Sequence, residues 1–229
     1  MKKVLITQSN YIPWKGYFDA IAIADEFVVY DDMQYTRRDW RNRNLIKTKN
    51  GLEWLTIPVE VKGKYFQKIR DTKISDPKWA IKHWSIISQN YAKAKYFNEF
   101  KEEFEEAYLN NQRIYLSEIN LDFILLINRI LKIKTKIRTS YEFNPSDHKT
   151  GRLVDICQKL GASDYYTGPA AKNYMDENLF SLKGIKINYM DYSNYPEYPQ
   201  LFATFEHSVS VLDLIFNAGP NSRKFLKNV

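Results

Sequence analysis

Apolar and polar positions follow two rhythms along the chain. Val4–Gln8 is an apolar run of strand length, Trp14–Ala24 carries Phe18, Ile21 and Ala22 at helical spacing, and Glu26–Tyr30 is a second short apolar run. Strand, helix and strand in that order predict a beta-alpha-beta unit, hence a parallel sheet with a right-handed crossover. Asn50-Gly51 then signals a tight, type I′-like turn before a strand at Glu53–Val59. Gly63–Thr72 is charged and irregular, which predicts a surface excursion.

The middle of the chain, about 75–132, reads as helical. Asp76-Pro77 is a helix start, with Ala80, Trp84, Ile87, Tyr91 and Ala94 forming an apolar stripe. Phe97, Phe100, Phe104 and Tyr108 repeat the pattern with acids between them. Ser117 is the expected cap of a third helix, with Leu121, Ile124, Leu125 and Leu131 facing inward. Alternation then resumes. Lys134–Thr139 is a strand, Leu153–Leu160 a helix ended by Gly161, Asp164–Thr167 a strand, Ala170–Asn178 a helix and Ile185–Met190 a strand. Ser208 or Ser210 caps a last helix that Gly219-Pro220 stops. The expected fold is α/β, a mainly parallel Rossmann-like sheet in one domain over 1–229 with a helical block inserted in the middle.

Length and composition add limits. A chain of 229 residues, 44% hydrophobic and 27% charged, has ordinary globular content. No apolar run approaches the ~20 residues of a membrane helix. Met1-Lys2-Lys3 runs directly into the first strand and does not resemble a signal peptide. The one cysteine, Cys157, excludes an internal disulfide and a thiolate-rich metal site, and points to a reducing cytoplasm. No metal or cofactor is expected. The net charge of +7 is local: eleven basic residues against four acidic ones lie between Arg37 and Lys73, which accounts for the whole excess. Such a segment predicts an anionic partner, either a phosphate-bearing small molecule or a nucleic acid. Seventeen Tyr and five Trp supply rings able to stack on bases and sugars.

Polar residues follow every expected strand, where open parallel sheets bind ligands. After the first come Gln8, Ser9 and Asn10, with Tyr11 and Trp14 before the helix; after the second come Asp31, Asp32 and Gln34. Adjacent carboxylates on an extended chain point to opposite sides, so Asp31 and Asp32 are poor candidates for one shared metal ion. Arg37, Arg38, Arg41 and Arg43 offer forked donors to phosphate, with Trp40 as a stacking plane and Asn44 beyond. Thr167-Gly168-Pro169 starts a helix whose early Lys172 is a further phosphate contact. Among the histidines, His83 sits beside the apolar stripe of its helix, His148 in a polar loop and His207 before the last cap; none has metal-ligand spacing. Asp32 or His83 is the candidate general base, and Cys157, on a buried helix face, is inert filler.

These motifs resemble the WbqC-like family of bacterial proteins. The resemblance rests on Gln8-Ser9-Asn10-Tyr11-Ile12-Pro13-Trp14, Gly16-Tyr17-Phe18, Asp31-Asp32-Met33-Gln34-Tyr35, Arg38-Asp39-Trp40-Arg41-Asn42-Arg43-Asn44 and Trp54-Leu55-Thr56-Ile57-Pro58-Val59. It extends to Gly168-Pro169-Ala170-Ala171-Lys172, Tyr198-Pro199-Gln200 and the Ser208–Gly219 segment. The family usually has His-Gln-Pro where this chain has Thr7-Gln8-Ser9. Its members occur in gene clusters for O-antigen and related surface polysaccharides, which implies a cytoplasmic role with nucleotide-linked sugars. The layout around Trp14-Lys15-Gly16-Tyr17 also resembles the start of HIGH-type nucleotidyltransferases and pantothenate-synthetase-like ligases, with Trp14 and Tyr17 in place of their histidines.

The expectation is therefore a transferase of surface-polysaccharide biosynthesis. It would bind a nucleotide-linked sugar through Gln8, Asn10, Tyr11, Trp14, Gln34, Arg38, Trp40, Arg41, Asn44 and Lys172 and move an acyl or aminoacyl group onto it. The alternatives are a non-catalytic RNA or tRNA binder using the 37–73 basic segment, and a scaffold for polysaccharide enzymes. A compact basic segment suits a diphosphate better than the long face that RNA requires.

Overall fold

The computed structural model describes residues 1–145 and 149–228, which leaves His148 outside the described residues. Five parallel strands form the central sheet: β1 (Lys3–Thr7), β2 (Glu26–Val29), β5 (Lys136–Thr139), β6 (Asp164–Thr167) and β7 (Lys186–Tyr189), in the order β5-β2-β1-β6-β7. The register sets Leu5 beside Phe27 and Phe27 beside Ile137. The α/β, mainly parallel expectation is met. The order reverses beside β1, which creates the crevice that open doubly wound sheets use for ligands.

Side-chain alternation sends each strand's residues to two different layers. Leu5, Phe27 and Val29 face α1 (Lys15–Ile23) and the helical block of α2 (Trp79–Tyr91), α3 (Phe97–Leu109) and α4 (Leu116–Ile130), closed by α7 (Val211–Ala218). Val4, Ile6, Val28 and Tyr165 face α5 (Lys149–Lys159) and α6 (Glu177–Ser181). Cys157 lies in that second layer, fully buried, its thiol pushed up to about 12 by burial.

The structure corrects several local expectations. Part of the 37–73 basic segment is an antiparallel hairpin, β3 (Arg43–Thr48) and β4 (Gly51–Thr56), which pairs Leu45 with Trp54. The two-residue turn is Lys49-Asn50, neither at positive φ, and Gly51, at φ +110, opens β4 opposite Thr48, so the expected type I′ pair at Asn50-Gly51 does not form. In α4 the expected cap Ser117 is already helical, and Leu125 is exposed; the buried face is Leu116, Ile119, Asn120, Phe123, Ile124 and Ile127. Two polar residues, Asn120 and Asn128, occupy that face, which is why an apolar-stripe reading rotates it. The helix expected over 170–178 is a 3-10 turn, Pro169–Asn173, followed by the short α6. Ser210, not Ser208, caps α7. Gly219 ends α7 at φ +54, where a Cβ would stand 2.4 Å from the Tyr96 ring, so glycine is required there twice over.

Candidate functional site

The segments that follow β1 and β2 are locked together by a buried carboxylate. Asp31 accepts from the Ser9 amide at 2.8 Å, from Ser9 Oγ at 2.6 Å and from Ser117 Oγ on α4. Burial pushes the Asp31 carboxyl above its usual value, and the Ser117 and Ser9 hydrogen bonds oppose that shift. Asn120 extends the network, its Nδ2 donating to Ser9 Oγ at 3.0 Å and to the Arg41 carbonyl at 2.9 Å. Four separate pieces of chain, two at the strand ends, one on α4 and one in the basic loop, thus acquire one fixed relation. Ser9 is the residue that makes the β1–β2 link.

Arg41 enters the crevice on that support. Its Nη1 donates to Asn10 Oδ1 and its Nη2 to Gln8 Oε1, while Asp39 stands 3.8 Å away. Asp39 itself accepts from the Trp40 amide at 2.7 Å. The guanidinium is therefore oriented mainly by neutral acceptors and keeps most of its positive potential for a ligand. The Gln8 and Asn10 amide nitrogens and Ser208 Oγ make no hydrogen bond to the described residues, so the crevice presents donors.

Beside Arg41 lies a cavity of about 220 Å³, lined by Asn10, Pro13, Trp14, Trp40, Asn44 and Ser208. That volume suits one ring moiety, and the rest of a larger ligand would run along the open crevice. Trp14 is held edge-on by Tyr192 at 5.3 Å and Tyr195 at 5.6 Å. Gly16 lets it lie there, because a Cβ would approach the Trp14 ring to 2.3 Å. Trp40 is 43% exposed and packs at 5.4 Å against Trp54, which carries the Arg43 guanidinium at 4.1 Å. A larger open depression of about 800 Å³ lies between α3 and α4. Both of its arginines are paired, Arg129 with Glu103 at 2.6 Å and Arg113 with Asp122 at 2.8 Å.

Of the expected site residues, the structure brings Gln8, Asn10, Trp14, Trp40 and Arg41 together. Asn44 borders the cavity, but its buried side chain donates to the Tyr11 and Ile12 carbonyls at 3.1 and 2.9 Å, tying the hairpin to the β1 loop. Tyr11 turns away from the crevice into the core, where its hydroxyl meets Tyr108 at 2.7 Å and His83 Nδ1 at 2.8 Å. His83 is thereby removed from the crevice. It is buried, its Nε2 lies 3.2 Å from the Thr56 carbonyl, and burial lowers its pKa to about 4. Asp32 is bound by Arg70 at 2.8 Å and by Ser140 on the β5 side of the strand ends, apart from the cavity lining. Gln34 donates to the Tyr65 carbonyl at 2.8 Å. Arg38 is exposed at φ +57 and gives its carbonyl to Arg43. Lys172 is exposed and lies 4.9 Å from the Tyr189 ring centre. Tyr17 donates to the Gln8 carbonyl at 3.0 Å, a positioning role and not the phosphate contact of a HIGH-type histidine. His207 leans on Phe205 at 4.6 Å.

The sequence places Ser9 after the first strand and Ser117 at a helix start but gives no sign of the carboxylate they share, and it misses Asn120 and Lys15. Lys15 is buried with its amine on the Pro196 carbonyl at 2.7 Å and within 5.1–5.6 Å of the Tyr195, Tyr198 and Phe205 rings; burial lowers its pKa to about 8. Together with Asp19, which accepts from Tyr195 at 2.6 Å, it fastens the irregular 191–209 segment that carries Ser208 to the cavity. Its place between Trp14 and Gly16 was the one available signal.

Fold and site define an α/β protein with a doubly wound sheet and an arginine-centred aromatic crevice beyond the carboxyl end of β1. The chain belongs to the WbqC-like protein family, which it matches over residues 8–225. It is 47% identical over 227 residues, 99% of this chain and 98% of the other, to the uncharacterized protein Rv1507c of Mycobacterium tuberculosis. No solved structure matches it. Among the described residues no helix is long and apolar enough to cross a membrane.

Proposed function

We propose that this chain acts in the cytoplasm in surface-polysaccharide biosynthesis, binding a nucleotide-linked sugar in the Arg41 crevice and transferring an acyl or aminoacyl group to it. The observation that supports the reading best is the Arg41 guanidinium held by Gln8 and Asn10 beside a cavity walled by Trp14 and Trp40. A phosphate requires a forked cation in a partly dry place, and a base or sugar requires flat apolar walls. The two requirements meet here within one ligand's length. The free amide N–H groups of Gln8 and Asn10 suit acceptor-rich ligands and an oxyanion developing during acyl transfer. The RNA reading draws on Arg37, Arg38, Lys62 and Lys64, which are exposed and outside the crevice.

Thermal-shift screening with nucleotides and nucleotide-linked sugars tests the proposal. A ligand present at a hundredfold excess over its Kd adds roughly 2.7 kcal/mol to stability. A stabilising nucleotide-linked sugar that loses its effect in Arg41→Ala supports it. Stabilisation that survives in Arg41→Ala, or a panel without effect, contradicts it.

A further inference from the structure

We infer that the loop over 61–68 is a docking element for an anionic lipid surface, independent of what the crevice binds. Its two aromatic side chains, Tyr65 and Phe66, are 76% and 81% exposed, nearly as much as in an extended chain, and lean on each other at 4.9 Å. Exposure of that degree leaves no groove around them; the rings stand out of the surface. Lone exposed hydrophobics are ordinary, but adjacent protruding rings form a patch that calls for a partner.

The loop is not loose. Gly63 turns the chain at φ +72, and Lys64 and Gln67 amides close successive turns on Val61 and Lys64 carbonyls. Its return limb is fastened to the segment after β2: Tyr35 donates to the Gln67 carbonyl at 2.9 Å, Ile69 to Met33 at 2.9 Å, and Gln34 Nε2 to the Tyr65 carbonyl at 2.8 Å. The fold thus holds the two rings outward at the expense of solvating them.

Charge identifies the partner. Lys62 and Lys64 flank the rings in sequence, and Arg37 donates to the Val61 carbonyl at 3.2 Å; with Lys64 paired to Glu60 and Lys68 standing 3.9 Å from Asp32, Lys62 and Arg37 are left as the loop's net positive charge. Protruding aromatic rings beside net positive charge suit insertion at the headgroup boundary while the cations meet anionic lipids. RNA would be served better by a flat stacking surface, and the cores of protein interfaces are depleted in the lysines that accompany these rings. The loop also pairs with the chain that leaves the carboxyl end of β2, so docking would set the crevice edge of the sheet toward the lipid.

Co-sedimentation of the full chain with phosphatidylcholine vesicles, with and without phosphatidylglycerol, tests this. The wild type is expected to sediment with the anionic vesicles only and to be released by salt. Tyr65→Ser/Phe66→Ser should lose binding by about tenfold or more, and Lys62→Glu/Lys64→Glu should lose it as well, both with near-wild-type Tm because the residues are exposed. A wild type that ignores anionic vesicles, or variants that bind as it does, would overturn the inference. So would a Phe66-dependent band shift with tRNA in a protein that does not bind vesicles.

Discussion

Arg41 reaches across thirty-one positions of sequence to donate to the side-chain carbonyl of Asn10. Around it, the Tyr11 amide donates to the Trp40 carbonyl at 3.0 Å and Asn44 holds the Tyr11 carbonyl, so the β1 loop and the hairpin approach are joined by backbone and side chain alike. The crevice is consequently a product of two loops that neither would form alone.

Gly16 is predicted to set the position of Trp14. Gly16→Ala places a methyl group inside the indole's contact distance, with no φ penalty to confuse the result. Destabilisation by about 1–3 kcal/mol is expected from overpacking, along with weaker ligand binding as the ring is driven into the cavity. Adding Trp14→Leu should restore Tm without restoring binding. Urea unfolding and calorimetric titration of the two variants measure these effects separately.

Much of this was legible in the sequence, and the parts that were not share a physical cause. The β1-α1-β2 unit announces itself because its strands are short, apolar and separated by a helix-spaced stripe. Gln8, Asn10 and Arg41 stand out by their place after strands and within a basic, aromatic run. Hairpin strand β3 does not, because Arg43-Asn44-Leu45-Ile46-Lys47-Thr48 buries a lysine: Lys47 donates to Gln200 at 2.7 Å and to the Thr204 carbonyl, partners more than 150 residues away. Ser117 reads as a helix cap and Ser9 as a polar residue after the first strand; only the tertiary structure gives the two a shared carboxylate and joins Asn120 to it through Ser9 Oγ.

His83 gives the protein a predictable acid limb. Its pKa is about 4 when folded, below the ordinary 6.5, because burial disfavours the imidazolium. A base with a depressed folded-state value contributes fully above the unfolded value, and the contribution fades as pH falls from about 6.5 to about 4, by an amount on the order of 3 kcal/mol. His83→Phe should flatten the acid limb of the stability curve. At neutral pH it should cost about 1–3 kcal/mol, since Tyr11 and the Thr56 carbonyl each lose a partner. Denaturant midpoints across this pH range decide the matter; a variant with an unchanged acid limb would contradict the assignment.

Asp31 should act with the opposite sign. Burial raises its folded-state pKa, so its contribution is present below the unfolded value and is lost as pH rises through the folded one. Relative to Asp31→Asn, the wild type should lose stability as pH climbs above the ordinary aspartate range, then level off. Parallel curves for the two proteins would show that the Ser9 and Ser117 hydrogen bonds cancel the burial effect.

The account turns on Arg41 as the anion anchor of the crevice. Calorimetric titration of wild type and Arg41→Ala with the nucleotide-linked sugar that stabilises the wild type most is its direct test. Loss of one charged hydrogen-bonding group predicts binding weaker by about 1.5–3 kcal/mol, with Tm in the absence of ligand nearly unchanged, because the released Gln8 and Asn10 carbonyls can face water. Equal affinity in the two proteins would contradict the account and move the ligand site elsewhere.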